Sequence, residues 1–302
     1  MKEIPKLKLS TYNQIYSSMK EPIILKELVN YDFLTKIIAS FQDYDNLYLV
    51  INYYEGDILY NYRHEIMTEE QLKFISACII QSLTYLRKKK IINRDVRMKN
   101  LIMDKSRYFN LIDFSFSIKY SDKNNVENDI TGHKNESAPE ILNHSTYDYN
   151  SDYYRIGTII YFLIFKKYIN AVKKEKNIRE IFLDYNNIKN YSYSCIDFLN
   201  KLIITDYKKR IGFKSINELK NHSWFNGFDW INFEKKKIKS PLKFIIKKVK
   251  RKYCPKFNIS QNKKMKHIKF ENNKIYKELI KNFEYINKEI IIKIFNSFKN
   301  KL

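Results

Sequence analysis

Glycine, proline and cysteine are all scarce in this chain. Only five glycines and five prolines stand among 302 residues, and no G-x-G-x-x-G occurs. A loop that cradles phosphate with its backbone N–H groups needs such glycines, because bulkier residues hold the backbone away from the ligand. The sequence therefore excludes a glycine-rich phosphate loop within its own length.

The three cysteines are isolated in the sequence. Cys78, Cys195 and Cys254 lack the spacing of a zinc site or of a disulfide framework. An odd number of buried free thiols is typical of a reducing compartment. We therefore expect an intracellular protein, cytoplasmic or nuclear.

Long apolar runs are missing as well. No stretch approaches the ~20 residues that a membrane span needs. The longest, residues 156–165, predicts a fully buried helix. The N-terminus is basic but lacks the apolar core of a signal peptide. The sequence predicts no transmembrane segment.

Positive charge is abundant and lies mostly at the C-terminus. The net charge is +23, and residues 235–302, with 22 Lys+Arg and 4 Glu, supply +18 of it. Such a tail binds nucleic acid or acidic lipid through counterion release. The chain is also rich in Lys, Asn, Ile and Tyr, the amino acids of A/T-rich codons. The composition favours this mutational bias over a nucleic-acid or acidic-lipid partner.

The most informative stretch is residues 93–100, Asn-Arg-Asp-Val-Arg-Met-Lys-Asn, followed by Asp113-Phe114-Ser115. Phosphoryl transfer needs a base near the attacking hydroxyl, and oxygen ligands for the Mg²⁺ that bridges nucleotide phosphates. Asp95 suits the first role, and Asn100 and Asp113 suit the second. Short β-prone runs flank these residues and are predicted to hold them rigidly, residues 90–92 and 109–112.

These residues resemble the catalytic loop and the D-F-G motif of eukaryotic protein kinases. Ala138-Pro139-Glu140 resembles the A-P-E that closes their activation segment. The resemblance runs from about residue 2 to residue 245 and is greatest for the AGC group, near the cAMP-dependent protein kinase. It implies ATP and Mg²⁺ as cofactors, a protein as the substrate and a regulatory subunit as a further partner.

The resemblance implies catalytic roles for four residues. Asp95 would be the base, and Asn100 and Asp113 would bind the metal. Arg97 would neutralise charge on the transferring group, in a position where most Ser/Thr kinases carry a lysine. Arginine keeps the charge but replaces a compact ammonium with a planar fork.

Five further residues would support the site. The resemblance implies that Arg94 reaches toward the activation segment and that Phe114 is the aromatic of D-F-G. Asp152 would open a buried helix and anchor the backbone of the catalytic loop. Glu140 and Arg210 would form a buried ion pair, which neither partner could lose cheaply.

The N-terminal part also resembles a kinase. Glu21 begins a stretch with helical apolar spacing and resembles the helix αC glutamate, which pairs with a lysine on strand β3. Lys2, nineteen residues earlier, is the matching lysine. Strands β1 and β2 and the glycine-rich loop are then absent from this sequence. Either the protein lacks them, or an upstream exon of the gene encodes them, and we favour the second explanation.

Residues 37–57 indicate a hairpin that leads into a hinge, because two β-prone runs flank an Asp/Asn turn. The resemblance places adenine against backbone groups near Asn52 and Tyr53. Asp57 would contact the ribose or a basic substrate residue.

Several positions depart from the family pattern. Asn93 replaces a His or Tyr, and Ser115 replaces the glycine of D-F-G and should stiffen that backbone. His133 replaces a threonine that bridges the catalytic Asp and Lys. Lys99 stands where AGC kinases carry a Glu that reads a substrate arginine, so we expect a substrate preference that is not basophilic.

The sequence thus predicts an α+β, bilobal protein kinase-like fold with a reduced N-lobe sheet and a mainly helical C-lobe. The predicted parts are a partial N-lobe, a C-lobe, the start of an AGC-like tail and a basic tail with an amphipathic helix, residues 1–54, 55–230, 231–245 and 246–302. The favoured function is a protein serine/threonine kinase. The alternative is a pseudokinase, a binding or scaffold module without turnover.

Overall fold

The chain folds as two units, and in the hinge segment the boundary falls between Tyr53 and Tyr54. The computed structural model describes residues 1–9, 12–121, 136–142, 148–169, 183, 188, 190–243 and 285–286. The first unit contains the described residues up to Asn30, residues 35–53 and residues 285–286. The second contains residues 31–34 and the described residues from Tyr54 to 243.

The described residues of the first unit form a four-stranded antiparallel sheet and one helix. Its elements are β1 Lys2–Pro5, α1 Tyr12–Glu27, β2 Ile37–Gln42, β3 Asn46–Ile51 and β8 Tyr285–Ile286. The sheet order is β1-β3-β2-β8. Asp43 closes the predicted hairpin, because its Oδ1 accepts the N–H groups of Asp45 and Asn46 at 2.9 and 2.7 Å. The hairpin is present where the β-prone runs predict it.

One edge of this sheet is formed by a segment that was predicted to be helical. Tyr285 and Ile286 pair with Ser40 and Ala39 of β2, so the helix predicted through the apolar residues 275–298 is wrong at these two positions. An open strand edge offers unpaired N–H and C=O groups, and pairing there competes with helical spacing. The rest of the predicted tail helix, like Cys254, lies outside the described residues.

The second unit is mainly helical. Its helices are α2 Glu69–Lys88, α3 Pro139–Leu142, α4 Tyr149–Phe165, α5 Tyr193–Ile203, α6 Asn217–Lys220 and α7 Trp230–Glu234. Two small antiparallel sheets join β4 Ile91–Ile92 to β7 Ile118–Lys119, and β5 Leu101–Met103 to β6 Phe109–Leu111. Thr68 and Gln71 form the capping box that begins α2.

Helix α4 lies in the core of this unit and is buried along most of its length. It matches the apolar run that predicted a buried helix. No helix in the described part of the chain is both long and apolar enough to span a bilayer. Cys78 and Cys195 are buried free thiols, and burial raises the pKa of Cys78 to about 12.

Glu140 and Arg210 form a buried ion pair in the second unit. Arg210 Nη1 and Nη2 donate to Glu140 Oε1 and Oε2 at 2.6 and 2.9 Å. Arg210 also donates to the carbonyl oxygens of Asn150 and Ile204. Because Arg210 Nε donates to the Ile204 carbonyl oxygen as well, every donor of the guanidinium is used, which is the condition under which a buried pair is tolerated.

Glu140→Gln should lower the free energy of unfolding by about 3–5 kcal/mol, because it leaves Arg210 buried without its counter-charge. Lys209→Gln is the matched control, since it removes one side of an exposed pair with Asp206 at 3.9 Å. Urea unfolding followed by circular dichroism measures both. An equal, small change in the two variants would contradict the prediction.

Candidate active site

The backbone of the catalytic loop is anchored by one carboxylate. Asp152, near the start of α4, accepts the N–H groups of Asn93 and Arg94 at 2.8 and 2.9 Å. Arg94 has φ of 70°, a left-handed conformation that a non-glycine residue keeps only when its surroundings fix it. Burial raises the pKa of Asp152 to about 6, against the opposing effects of these hydrogen bonds and of Arg155.

Asp95 follows directly and is buried. Its Oδ2 accepts a hydrogen bond from Asn100 Nδ2 at 2.7 Å and lies 3.2 Å from Arg97 Nε. Its Oδ1 has no hydrogen-bond partner in the described part of the chain and lies 3.7 Å from Arg155 Nη1. Burial raises the pKa of Asp95, while the Arg155 and Arg97 guanidinium groups oppose that rise. One carboxylate oxygen is therefore held, and the other remains able to accept a proton.

Asn100 and Asp113 supply oxygen atoms suited to a hard cation. Asn100 Nδ2 donates to the Asp95 carbonyl oxygen at 2.9 Å as well as to Oδ2, so the amide oxygen is the atom left for a metal. Asp113 has φ of 66°, and its carboxylate is the second oxygen ligand that the motif predicts. One carboxylate and one amide oxygen fit Mg²⁺, which takes few protein ligands and keeps several waters.

Ser115 holds the Asp113 carboxylate. Its hydroxyl donates to Asp113 Oδ1 at 2.8 Å, and its backbone N–H approaches the same oxygen at 3.2 Å. Phe114, between them, is fully buried. Sequence reasoning expected only a stiffer backbone from this serine and missed the side-chain hydrogen bond.

Asn93 links the loop to the segment beyond Phe114. Its Nδ2 donates to Ser117 Oγ at 3.3 Å, and Ser117 Oγ is 3.2 Å from the Asn93 carbonyl oxygen. The Asn93 side-chain oxygen accepts the Asp95 N–H at 3.1 Å. The residue is therefore a polar connection within the second unit, which the sequence did not indicate.

Two buried charges near Asp95 were also missed. Arg155 on α4 is 1% exposed, and its Nη1 and Nη2 have no hydrogen-bond partner among the described residues. Burial raises the pKa of Glu136, and Arg155 and Arg97 oppose this rise. Arg155 could have been noticed in the sequence, because it directly precedes the run predicted to be a buried helix. Nothing in the sequence distinguished Glu136, except that it lies in the same altered segment as His133.

The first unit brings together the other predicted pair. Lys2 Nζ donates to Glu21 Oε2 at 2.7 Å. Lys2 lies on β1 opposite Leu49 of β3, and Glu21 lies on α1 and is buried. Their spacing of nineteen residues therefore spans one strand and most of one helix.

The backbone groups predicted to contact adenine are only partly available. The Asn52 N–H donates to the Lys36 carbonyl oxygen at 3.0 Å, and its side-chain oxygen accepts the Lys36 N–H at 2.8 Å. Tyr53 is 78% exposed. Since the Asn52 N–H is already used inside the unit, only other backbone groups there remain for adenine, and that contact stays a prediction.

The residues predicted to face substrate differ in their surroundings. The Asp57 carboxylate accepts the Ile58 N–H at 2.8 Å and Asn61 Nδ2 at 2.7 Å, so it stabilises its own turn. Lys99 is exposed, and its Nζ lies 4.8 Å from the centroid of the Tyr60 ring. His133 lies outside the described residues.

The protein kinase domain, as a family, matches residues 1–225 of this chain. The chain belongs to the protein kinase family. The α+β kinase fold predicted from the sequence is thereby confirmed. Members of this family use ATP and Mg²⁺.

Individual protein kinases are 27–29% identical in sequence to the chain. A probable serine/threonine-protein kinase of Dictyostelium discoideum is 27% identical over 248 residues, 80% of this chain and 54% of that protein. Serine/threonine-protein kinase Sgk1 of Danio rerio is 27% identical over 237 residues, and that of Rattus norvegicus is 29% identical over 230. Each of these two alignments covers 74% of this chain and 53% of the relative. The kinase spans about half the length of the curated relatives it matches.

The Asp152 anchor generates a test of pH dependence. Because its folded-state pKa is raised, its stabilising contribution is greatest below its usual pKa and is lost as pH rises through about 6. Asp152→Asn keeps one oxygen acceptor, loses the second hydrogen bond and no longer titrates. The variant should be less stable than wild type, by a margin that shrinks by about 1–2 kcal/mol between pH ~5 and pH ~7.5.

Urea unfolding of both proteins at several pH values measures this margin. A margin that stays constant with pH would show that the Asp152 pKa is not raised in the folded protein. The exposed Asp45 provides a control through Asp45→Asn, which should leave stability and its pH dependence unchanged.

Proposed function

We propose that this chain transfers the γ-phosphoryl group of ATP to a serine or threonine hydroxyl of a protein. The observation that carries the proposal is the state of Asp95. Its Oδ2 is held by Asn100, while Oδ1 has no hydrogen bond in the described part of the chain. A general base needs this combination of fixed orientation and one open acceptor atom.

The other residues have complementary roles in this proposal. Arg97 neutralises charge on the transferring group, and Lys2, oriented by Glu21, binds the nucleotide phosphates. Asn100 and Asp113 hold Mg²⁺, which supplies neutralisation of the phosphate oxygens. Proton acceptance from the hydroxyl falls to Asp95, whose pKa is raised by burial against the opposing effects of the Arg155 and Arg97 guanidinium groups.

The class of hydroxyl is inferred from relatives. Those named above are serine/threonine kinases, and Sgk1, together with the AGC-like features of the sequence, favours the AGC group for this chain. Because each relative is matched over only about half its length, the substrate, a regulatory subunit and any polyanion bound by the basic tail remain predictions.

Asp95→Asn should lower Mg²⁺-dependent ATP turnover by about 10²–10⁴-fold, because the amide cannot accept the proton of the hydroxyl. Phosphate release and peptide phosphorylation by the full chain measure the effect. Asp45→Asn, the same chemical change at an exposed position, is the control and should retain activity.

Wild-type protein that binds nucleotide but shows no turnover dependent on Asp95 would overturn the proposal. The chain would then be a pseudokinase, acting through binding alone.

Ser115→Ala should raise the Mg²⁺ concentration needed for half-maximal turnover by roughly 2–10-fold, the effect of losing one hydrogen bond to the Asp113 carboxylate. Ser115→Gly removes the same hydroxyl and also frees the backbone, so comparing the two separates orientation from flexibility. Unchanged Mg²⁺ dependence in Ser115→Ala would show that the hydroxyl does not orient the metal ligand.

A further inference from the structure

Two cations share one aromatic ring beside the catalytic loop. Lys99 Nζ lies 4.8 Å and Arg63 Cζ lies 4.1 Å from the centroid of the Tyr60 ring. Arg63 Nη1 also donates to the Tyr60 carbonyl oxygen at 3.0 Å. Within the described residues, neither cation forms an ion pair with a carboxylate. Both are thus held in place without being neutralised.

This pair of cations is built onto the loop that carries the base. Lys99 lies in the single turn of residues 98–100, between Asp95 and Asn100. The turn of residues 59–62 packs against it, and the chain just before that turn pairs with the strand that follows the loop, Ile58 with Ile102. Lys99 therefore lies in the same loop as the proposed base, four residues after it.

Lys99 and Arg63 each act electrostatically on a group on which Arg97 also acts. Arg63 and Arg97 both act on the Tyr168 hydroxyl, where they oppose the rise in pKa that burial causes. Arg97 and Lys99 both act in the same direction on the pKa of the Glu136 carboxyl. Arg63, Arg97 and Lys99 therefore project their charge into one region of the second unit.

The carboxylates of this region that the structure describes have other partners. Asp95 and Glu136 lie near the Arg155 and Arg97 guanidinium groups, and Asp113 accepts the Ser115 hydroxyl at 2.8 Å. Asp57 accepts two hydrogen bonds within its own turn, and Glu65, two residues after Arg63, acts on Lys166. Lys99 and Arg63 therefore keep their charge available among the described residues.

We propose that the protein segment phosphorylated by this chain carries acidic side chains next to its hydroxyl, and that Lys99 and Arg63 select them. The inference rests on the proposed kinase function and names its substrate class. Carboxylates would offset an exposed positive field, whereas lysine or arginine at the same positions would be repelled. The chain's own basic tail, at +18 over residues 235–302, is unsuited to this surface.

An acidic peptide fits the surface better than a nucleic acid does. Sequence-tolerant binding of single strands relies on open aromatic faces on which bases stack. The Tyr60 ring already has Lys99 and Arg63 against it. The surface offers charge beside the base, and therefore fits a short anionic side chain next to a hydroxyl.

Binding of inert peptides tests this without requiring turnover. Short fluorescent peptides with alanine in place of the acceptor are flanked by aspartate, alanine or lysine, and their affinities for the full chain are measured by polarisation. The aspartate-flanked peptide should bind best. Lys99→Glu and Arg63→Glu should each reduce its advantage over the lysine-flanked peptide by roughly three- to tenfold, since each reverses one charge of this surface, at an exposed Lys99 and a half-buried Arg63.

Lys208→Glu is the matched control, because it makes the same charge change at an exposed site far along the chain, and it should leave the preference unchanged. Equal binding of the aspartate- and lysine-flanked peptides, or an equal loss in all three variants, would overturn the inference. So would an RNA oligonucleotide that displaces the acidic peptide and loses affinity in Lys99→Glu more strongly than the peptide does.

A second arm separates this inference from the proposed function. Serine-containing versions of the same peptides are assayed for phosphorylation. A binding preference without turnover would uphold the acidic surface and contradict the kinase proposal. Turnover that favours lysine-flanked peptides would uphold the kinase proposal and contradict the selection of acidic side chains.

Discussion

The candidate site depends on the two hydrogen bonds that Asp152 accepts from the backbone of Asn93 and Arg94. A loop that turns away from helix and strand leaves its N–H groups without regular partners, and buried donors without partners are costly. The carboxylate meets both donors at once and holds Arg94 in a left-handed conformation. Because Asp152 belongs to the buried helix α4, these hydrogen bonds fix the loop to the core of the second unit. Asp95 follows immediately and is oriented by the same anchor.

The buried charges of the second unit fall into two kinds. Arg210 uses its guanidinium fully, on Glu140 and on backbone carbonyl oxygens, so its burial needs no further explanation. Arg155 is as deeply buried, yet its two terminal nitrogens have no hydrogen-bond partner among the described residues. It stands 3.7 Å from Asp95 instead. A buried group that is poorly satisfied but faces a reactive carboxylate is better explained by the electrostatics of the site than by stability.

What could be predicted from the sequence was local or fixed by spacing. The turn at Asp43 and the Lys2–Glu21 pair each depend on a few residues or on one motif distance. The contacts that were missed join distant parts of the chain through folding. Arg155 reaches Asp95 across 60 residues, and no periodicity records such a contact. The strand at residues 285–286 was missed for a related reason, because the competing partner was a sheet edge elsewhere in the chain.

Lysine is so common here that its presence at a given position carries little information. The chain contains 56 Lys+Arg among its 302 residues. Only the surroundings distinguish one lysine from another. Lys2 meets a buried carboxylate, and Lys236 donates to Asp104 at 2.7 Å, so the charge of each is neutralised within the fold. Lys99 is exposed and meets an aromatic ring, which fixes the side chain without neutralising its charge. A fixed but unneutralised charge beside a catalytic loop is what recognition of an oppositely charged partner requires.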